Sequence, residues 1–462
     1  MSDERRWRER SLWLDVLPGS LGPRLALPGD RAYDVAIVGA GFTGLWTAYA
    51  LAVADPALRI VVLEAETAGF GASGRNAGFV SAGIAGQAAV YERRAGLEGV
   101  IRAERAMVEG IDWIGAVVAA EGIACSWVKG GSLRVATSAP QLARVQAGLK
   151  EKRRRGLGPA DTSFVTLEEI RARLAIEGAL GGVFTPHCAR VNPAALARGL
   201  AEACERHGVT IHEETRVTRI APRRAETLRG TVTAEVVVRA TEAYTGGIHG
   251  HGRRFLPLAT RMIATEPLPA ATWAALGWTG CETIADQAHH FVYGQRTPDG
   301  RIALGGRGLA YRSGSRIREE DERDPAVGER LVEALHRLFP AARDAAITHR
   351  WGGVFGAPRD WSMAVRFERA SGLATAGGYG GHGVVASSLG GRTLADLVLG
   401  HESDLVTLPW VGHEQPRWEL EPLRWLGAHA VATVLASADR VEARTGRAAR
   451  RSRLVARLAP GR

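Results

Sequence analysis

The stretch Val35-Ala-Ile-Val38-Gly39-Ala-Gly41-Phe42-Thr43-Gly44 decides the fold. Its first four residues form a continuous apolar run, as in a strand buried on both faces of a parallel sheet. Glycines follow in G-x-G-x-x-G spacing, and Leu45 to Val53, rich in alanine and leucine, reads as the helix they open. Asp55-Pro56 ends that helix, and Arg59-Ile-Val-Val-Leu-Glu64 returns as a second buried strand. Glu64 lies 20 residues past Gly44. Alone, the glycine pattern carries little information. Between a strand and a helix, with an acid ending the next strand, it marks a dinucleotide-binding βαβ unit.

Each position has a physical task. Gly39 permits the tight turn, Gly41 admits a pyrophosphate to the backbone, and Gly44 lets helix and strand approach. Phe42 and Thr43 lie in the turn that leads into the helix, whose unpaired N–H groups and dipole favour negative charge. Glu64, followed by Ala65, accepts hydrogen bonds from ribose hydroxyls and repels a 2′-phosphate. Ala36 to Ala54 runs 19 residues without a charge, long enough to span a bilayer. The embedded glycine turn makes it a buried strand-turn-helix, so no membrane segment is expected.

The fingerprint does not separate FAD from NAD. The loop Gly69-Phe-Gly71-Ala-Ser73-Gly74-Arg75-Asn76-Ala77-Gly78 does. A nicotinamide dehydrogenase has no need of a second glycine-rich loop after the acidic strand end, whereas a flavin must lie under close-fitting backbone. Gly71, Gly74 and Gly78 would allow that approach. Ser73, Arg75 and Asn76 would supply donors for phosphate or flavin oxygens.

Further along, 87–122 is helical in pattern, Gly131 to Ala136 a strand, and 140–155 a charged helix. Leu196 to His207 is an amphipathic helix, followed by strands at 209–212, 215–220 and 234–240. His290-Phe-Val-Tyr293 and Arg301-Ile-Ala-Leu304 flank the turn Thr297-Pro-Asp-Gly300. An α/β signature returns with Gly372-Leu-Ala-Thr-Ala376, a glycine loop and a helix from about Ser387 to Leu399. The fold class is therefore α/β with an α+β insert: a Rossmann-type FAD-binding domain carrying an inserted antiparallel-sheet substrate domain. Residues 1–30 form an extended N-terminal extension broken by Pro18, Pro23 and Pro28. The FAD-binding domain takes 31–100, 191–255 and 351–402, and the substrate domain 101–190 and 256–350. Residues 403–462 make a C-terminal helical segment and basic tail.

With 46% hydrophobic and 23% charged residues, the 462-residue chain is globular in composition. Cys125, Cys188, Cys204 and Cys281 show no C-x-x-C pairing, so reduced thiols in a cytoplasmic protein are expected. Met1 to Leu14 carries arginines with no apolar run behind them, unlike a secretory signal. The net charge of +10 is concentrated in Arg444, Arg447, Arg450, Arg451, Arg453, Arg457 and Arg462, with no acid after Glu442. No aromatic residues interleave these arginines, so a solvated tail is expected rather than a nucleic-acid surface. His289-His290 and His249-Gly-His251 lack companions at metal spacing, and no metal is assigned.

The loop after Glu64 resembles that of the glycine/D-amino-acid oxidase superfamily of FAD-dependent oxidoreductases, within which the chain is most similar to the γ-glutamylputrescine oxidase branch. Ser11-Leu-Trp-Leu14, Ala240-Thr-Glu-Ala-Tyr244, Ala264-Thr-Glu-Pro-Leu268, Trp351-Gly-Gly353, Gly378-Tyr379-Gly380-Gly381-His382-Gly383 and Trp418 to Leu426 extend the likeness over most of the chain. The resemblance implies that Val217 faces the adenine and that Ala240 and Thr241 close over the pyrophosphate. Gly378 to Gly383 would lie beside the flavin pyrimidine, with the following helix aimed at its N1–C2=O edge. His382 would stand near the flavin, Arg75 and Asn76 near its N5–O4 edge, and Tyr293 and Trp351 on the substrate side. Catalytic roles thus fall to His382, Tyr293, Trp351 and Asn76. The 378–383 segment is formally a second G-x-G-x-x-G, but no strand with an acidic end follows, so NADPH is not expected.

One departure bears on the substrate. Amino-acid oxidases of the superfamily place an arginine after a W-x-G-x segment to grip the substrate carboxylate. Here that position is Phe355, with Arg359 four residues on and Arg307 elsewhere. The reading is an amine substrate oxidised at its C–N bond, with O2 or an electron carrier as acceptor. The same segment has no cysteine, so non-covalent FAD is expected. An FAD-dependent amino-acid oxidase or dehydrogenase using Arg307 or Arg359 is the alternative, and a non-enzymatic flavin-binding regulator a further one.

Overall fold

Strand Arg31–Val38 stands at the centre of the first sheet, where the apolar run Val35 to Val38 is buried on both faces. In this computed structural model, which describes residues 3–322 and 325–451, it pairs in parallel with Ile60–Leu63 on one side and Thr231–Arg239 on the other. Thr210–His212 and Leu373–Gly377 extend the parallel core outward, and Ala364–Glu368 closes one edge antiparallel. The helix opened by the fingerprint, Phe42–Ala54, begins three residues before the expected Leu45, because the end of the glycine turn is already helical. It crosses the helix Gly383–Leu399 so closely that a Cβ on Gly391 would stand 2.7 Å from the Thr47 nitrogen. With Ala88–Ala120 and Pro193–Arg206 these helices cover the sheet and build the largest apolar core.

The second sheet has eight strands in the order Ile347–Ala357, Leu256–Thr265, Ile302–Ala310, Val292–Arg296, Thr283–Asp286, Ser132–Ala136, Gly181–Thr185 and Ser163–Val165. Neighbours are antiparallel except Ser132–Ala136 and Thr283–Asp286, which come from separate excursions of the chain and pair in parallel. Alternation sets its two faces. Leu133, Ile284, Val292 and Leu304 point to one face, against Leu331, Leu335 and Leu338 of the helix Pro325–Leu338. Arg134, Ala285 and Tyr293, on the other, line a cavity.

Two expectations need correcting. The lead-in is not simply extended: Asp3–Arg8 and Leu12–Asp15 are helical, the second capped by Ser11, and Trp7, Leu12, Trp13 and Leu14 are buried. The prolines that suggested extension begin only at Pro18. The division between residues 350 and 351 falls inside the strand Ile347–Ala357, which is paired along its length with Leu256–Thr265 of the second sheet. Among the described residues no helix is long and apolar enough to cross a membrane. Helix Leu423–Thr445 precedes the basic tail, of which Arg453, Arg457 and Arg462 lie outside the described residues.

Candidate active site

A cavity of about 1260 Å³ runs between the two sheets, larger than the roughly 300–1,000 Å³ of ordinary small-molecule pockets. At one end stand Glu64, Ala65 and Val217; its middle is lined by Gly39, Gly41, Phe42, Thr43, Ser73, Ala240 and Thr241. Asn76, Ala77, Gly381, His382 and Gly383 follow, and Tyr293 stands in a further chamber under the second sheet.

The first loop is built for close approach. Gly39 has φ +104°, and a Cβ there would meet the Ala240 carbonyl at 2.8 Å. A Cβ on Gly44 would lie 1.9 Å from the Gly39 oxygen, so the helix can begin against the strand only with glycine at that position. The Glu64 carboxylate accepts hydrogen bonds from the N–H groups of Ala40 (2.7 Å) and Glu66 (3.0 Å). Burial pushes its pKa up to about 7. Each of its oxygens keeps a lone pair for a ribose hydroxyl. The long cavity, the glycine cradle and this carboxylate fit a dinucleotide.

The second loop works differently from its sequence reading. A Cβ on Gly74 would meet the Gly69 oxygen at 2.3 Å, and one on Gly78 the Val191 oxygen at 2.2 Å. These glycines pack the loop against its own support, and of the three only Gly71 borders the cavity. Arg75 is buried behind the loop, donating to the Tyr244 hydroxyl (2.8 Å) and lying over the Phe70 ring. It does not offer its guanidinium to the cavity. The Asn76 amide nitrogen donates to the carbonyls of Ala72 and Ser73, and its oxygen accepts from Gly78 N–H at 2.7 Å. Asn76 borders the cavity, yet its side chain shapes the loop. Ser73 Oγ accepts from Phe42 N–H (2.9 Å), tying the two loops together.

Trp351 is not a wall of the cavity. It is buried, its indole N–H donates to the Arg75 carbonyl at 3.1 Å, and its ring meets Trp13 edge-on. Its strand neighbours Gly353, Val354 and Phe355 reach the cavity instead. Tyr293 does line it, with Phe79 and Phe291 as ring neighbours at 6.0 and 5.8 Å. His382 occupies the cap position of Gly383–Leu399 without a side-chain capping bond, and its ring lies over Gly83. Gly378 and Gly380 stand back from the cavity. Tyr379 bonds through its hydroxyl to Thr43 Oγ1 at 2.8 Å, linking the two glycine loops, and burial drives its pKa upward.

Two groups escaped the sequence reading. Glu242, within the quoted Ala240-Thr-Glu-Ala-Tyr244, accepts from the N–H groups of Gly378 and Tyr379 at 3.2 Å each, and burial pushes it up to about 7. An acid flanked by Thr241 and Ala243 looks like a surface residue until the chain returns at 378. Arg134 projects from Ser132–Ala136 into the chamber, inside a segment that reads only as a strand. Arg359 bonds Glu419 at 2.8 and 3.1 Å and lies outside the cavity lining; the Arg307 side chain lies outside the described residues. His289, Asp439 and Glu442 bring ligand atoms within 4.8 Å of one another, but the Arg144 guanidinium already pairs with Glu442 at 2.9 Å.

Residues 34–397 match the family described as DAO, FAD dependent oxidoreductase. The chain belongs to that family. It is 32% identical to the γ-glutamylputrescine oxidoreductase of Escherichia coli (strain K12) over 375 residues, 79% of this chain and 84% of the relative. Glycine oxidase from Geobacillus kaustophilus superposes with a TM-score of 0.66 at 22% identity, covering 83% of this chain and all of that one. L-proline dehydrogenase from P. horikoshii superposes at 0.63, with 17% identity over 82% and 96% of the two chains. This DAO-family chain is thus an FAD-dependent oxidoreductase whose two-sheet fold is shared with enzymes acting on amino acids.

Proposed function

We propose that this enzyme oxidises the C–N bond of an amine that carries no carboxylate on the reacting carbon. The observation that carries this reading is Phe355: an apolar ring faces the cavity where an amino-acid oxidase would present a guanidinium, while Arg359 is spent on Glu419. Similarity to an enzyme named for γ-glutamylputrescine, an amine, points the same way.

Bound FAD would supply the two-electron acceptor, and the oxidised product is an imine that water hydrolyses to an aldehyde and the released amine. The protein's share is placement and dryness. Tyr293, Phe79 and Phe355 offer apolar walls on which a neutral amine rests. Asn76 and Ala77 border the same space as His382 and Gly383, so the two glycine loops would clasp the cofactor between them. The start of Gly383–Leu399 would face the edge that gains negative charge on reduction, worth roughly 0.3–2 kcal/mol. His382 holds the head of that helix, and we assign it a place beside the cofactor. Trp351 acts as a positioning residue behind Arg75.

None of the four cysteines borders the cavity, which supports non-covalent FAD. Oxygen or a carrier protein would accept the electrons. The test is product formation by the purified holoenzyme. With a primary or secondary amine it should release an aldehyde, trapped as a hydrazone, with matching consumption of oxygen or an artificial acceptor. Turnover of α-amino acids to 2-oxo acids with no aldehyde from any amine would overturn the proposal.

A further inference from the structure

A transverse row crosses the second sheet: Arg134 pairs with Ala285, Ala285 with Tyr293, and Tyr293 with Gly305. Cross-strand partners share a face, so Arg134 and Tyr293 look into the same chamber from strands two spacings apart, about 10 Å. Ser132, two residues from Arg134 on the same strand face, lines the chamber too.

Three other arginines that line the cavity are paired with carboxylates. Arg10 pairs with Glu319 at 3.0 Å, Arg216 with Glu66 at 2.9 Å, and Arg144 with Glu442 at 2.9 Å. Arg134 has no hydrogen-bond or ion-pair partner among the described residues. The cavity carboxylate on the neighbouring strand, Asp286, is taken up by the N–H groups of Ala288 and Val292, with Arg337 at 3.7 Å. Lys152 feels the Arg134 charge, which together with burial holds its ammonium down at about 8. Glu104, the acid nearest in effect to Lys152, is bonded to Arg155 at 2.5 Å. The Arg134 side chain is exposed to the chamber, and partial desolvation by the chamber walls lowers its pKa. A guanidinium partly desolvated by the chamber walls and left without a counter-charge carries a free-energy cost. A bound anion would relieve that cost.

We propose that Arg134 is the residue that selects the substrate at its far end, anchoring a carboxylate remote from the oxidised C–N bond. This rests on the amine reading above and adds the recognition of the other end. The guanidinium fork matches a carboxylate in two parallel hydrogen bonds. The apolar walls around Tyr293 accept the carbon chain, and the two-strand separation sets its length. The same arrangement explains how a pocket without a clamp beside the reacting carbon selects its substrate.

The test compares N-succinyl-1,4-diaminobutane with N-butanoyl-1,4-diaminobutane, which differ only in a terminal carboxylate against a methyl group. Wild-type holoenzyme should favour the succinyl amine in kcat/KM by roughly ten- to hundredfold. Arg134→Ala should collapse that ratio towards one through KM, and Arg134→Lys should restore part of it. Glutarate, titrated calorimetrically into oxidised holoenzyme, should bind wild type at least about tenfold more tightly than Arg134→Ala. If Arg134→Ala yields no folded yellow protein, Arg134→Gln takes its place in both measurements. Equal use of the two amines by wild type, or an equal loss on both in the variant with glutarate binding unchanged, would overturn the anchor. If no amine is oxidised but glutarate binding still depends on Arg134, the amine reading fails and the anion site stands.

Discussion

Trp13 and Trp351 meet edge to face at 5.9 Å, and their indole N–H groups donate to consecutive carbonyls, Trp13 to Asn76 at 2.8 Å and Trp351 to Arg75 at 3.1 Å. One comes from the N-terminal segment and the other from the edge strand of the second sheet, so the flavin loop is held from behind by both. Replacing either by phenylalanine keeps most of the packing and leaves a buried carbonyl unpaired, at about 1–3 kcal/mol. Trp13→Phe and Trp351→Phe should therefore weaken FAD affinity more than they slow turnover at saturating FAD. Fluorescence titration of apoprotein with FAD reads the first effect, and steady-state rates the second.

The crossing of Phe42–Ala54 with Gly383–Leu399 depends on the missing side chain of Gly391. Its Cβ would press on the Thr47 nitrogen and on the Trp46 backbone carbon at 2.8 Å, neither of which can swing aside. Gly391→Ala should lower stability by about 1–3 kcal/mol through overpacking, visible as a lower Tm. Gly391 does not line the cavity, so the surviving folded fraction should keep the wild-type substrate preference.

Arg359 distinguishes the amine reading from its amino-acid alternative. It and Glu419 are both more than a third exposed, so their ion pair contributes no more than about 1 kcal/mol. Arg359→Ala should leave KM for the best substrate unchanged. A rise in KM confined to carboxylated substrates would restore Arg359 as a clamp.

Glu242 gives the apoprotein a pH signature. Burial raises its pKa from 4.5 to about 7 in the folded state, so between those values the folded chain holds a proton that the unfolded chain has released. The group's contribution to stability therefore falls as pH rises from about 4.5 through 7, by up to about 3 kcal/mol. Glutamine does not titrate. Thermal melts of apoprotein across pH 5–8 should show a smaller downward trend in Glu242→Gln than in wild type. Parallel trends would contradict the assignment.

The dinucleotide cradle was legible because its parts are contiguous: Gly39, Gly41 and Gly44 with Glu64 fall within one βαβ unit, and local steric needs dictate them. The catalytic family was legible from the second loop. Its internal mechanics were not, since Arg75 and Asn76 look like free donors until Tyr244, Ala72 and Ser73 are seen to occupy them. Trp351 read as a substrate wall for a related reason: the partner that buries it, Trp13, lies more than 300 residues away in sequence. Arg134 and Glu242 were missed because their meaning comes from strand pairing and from a returning loop, neither of which leaves a local mark.

The central claim is that the reacting carbon carries an amine and no carboxylate, and anaerobic reduction of the bound flavin tests it most directly. Oxidised holoenzyme would be mixed with a primary amine and, separately, with the α-amino acid that adds a carboxylate to the reacting carbon, while the flavin absorbance is followed. The account predicts bleaching by the amine and little or none by its α-carboxylated counterpart. Bleaching by the amino acid alone would contradict it.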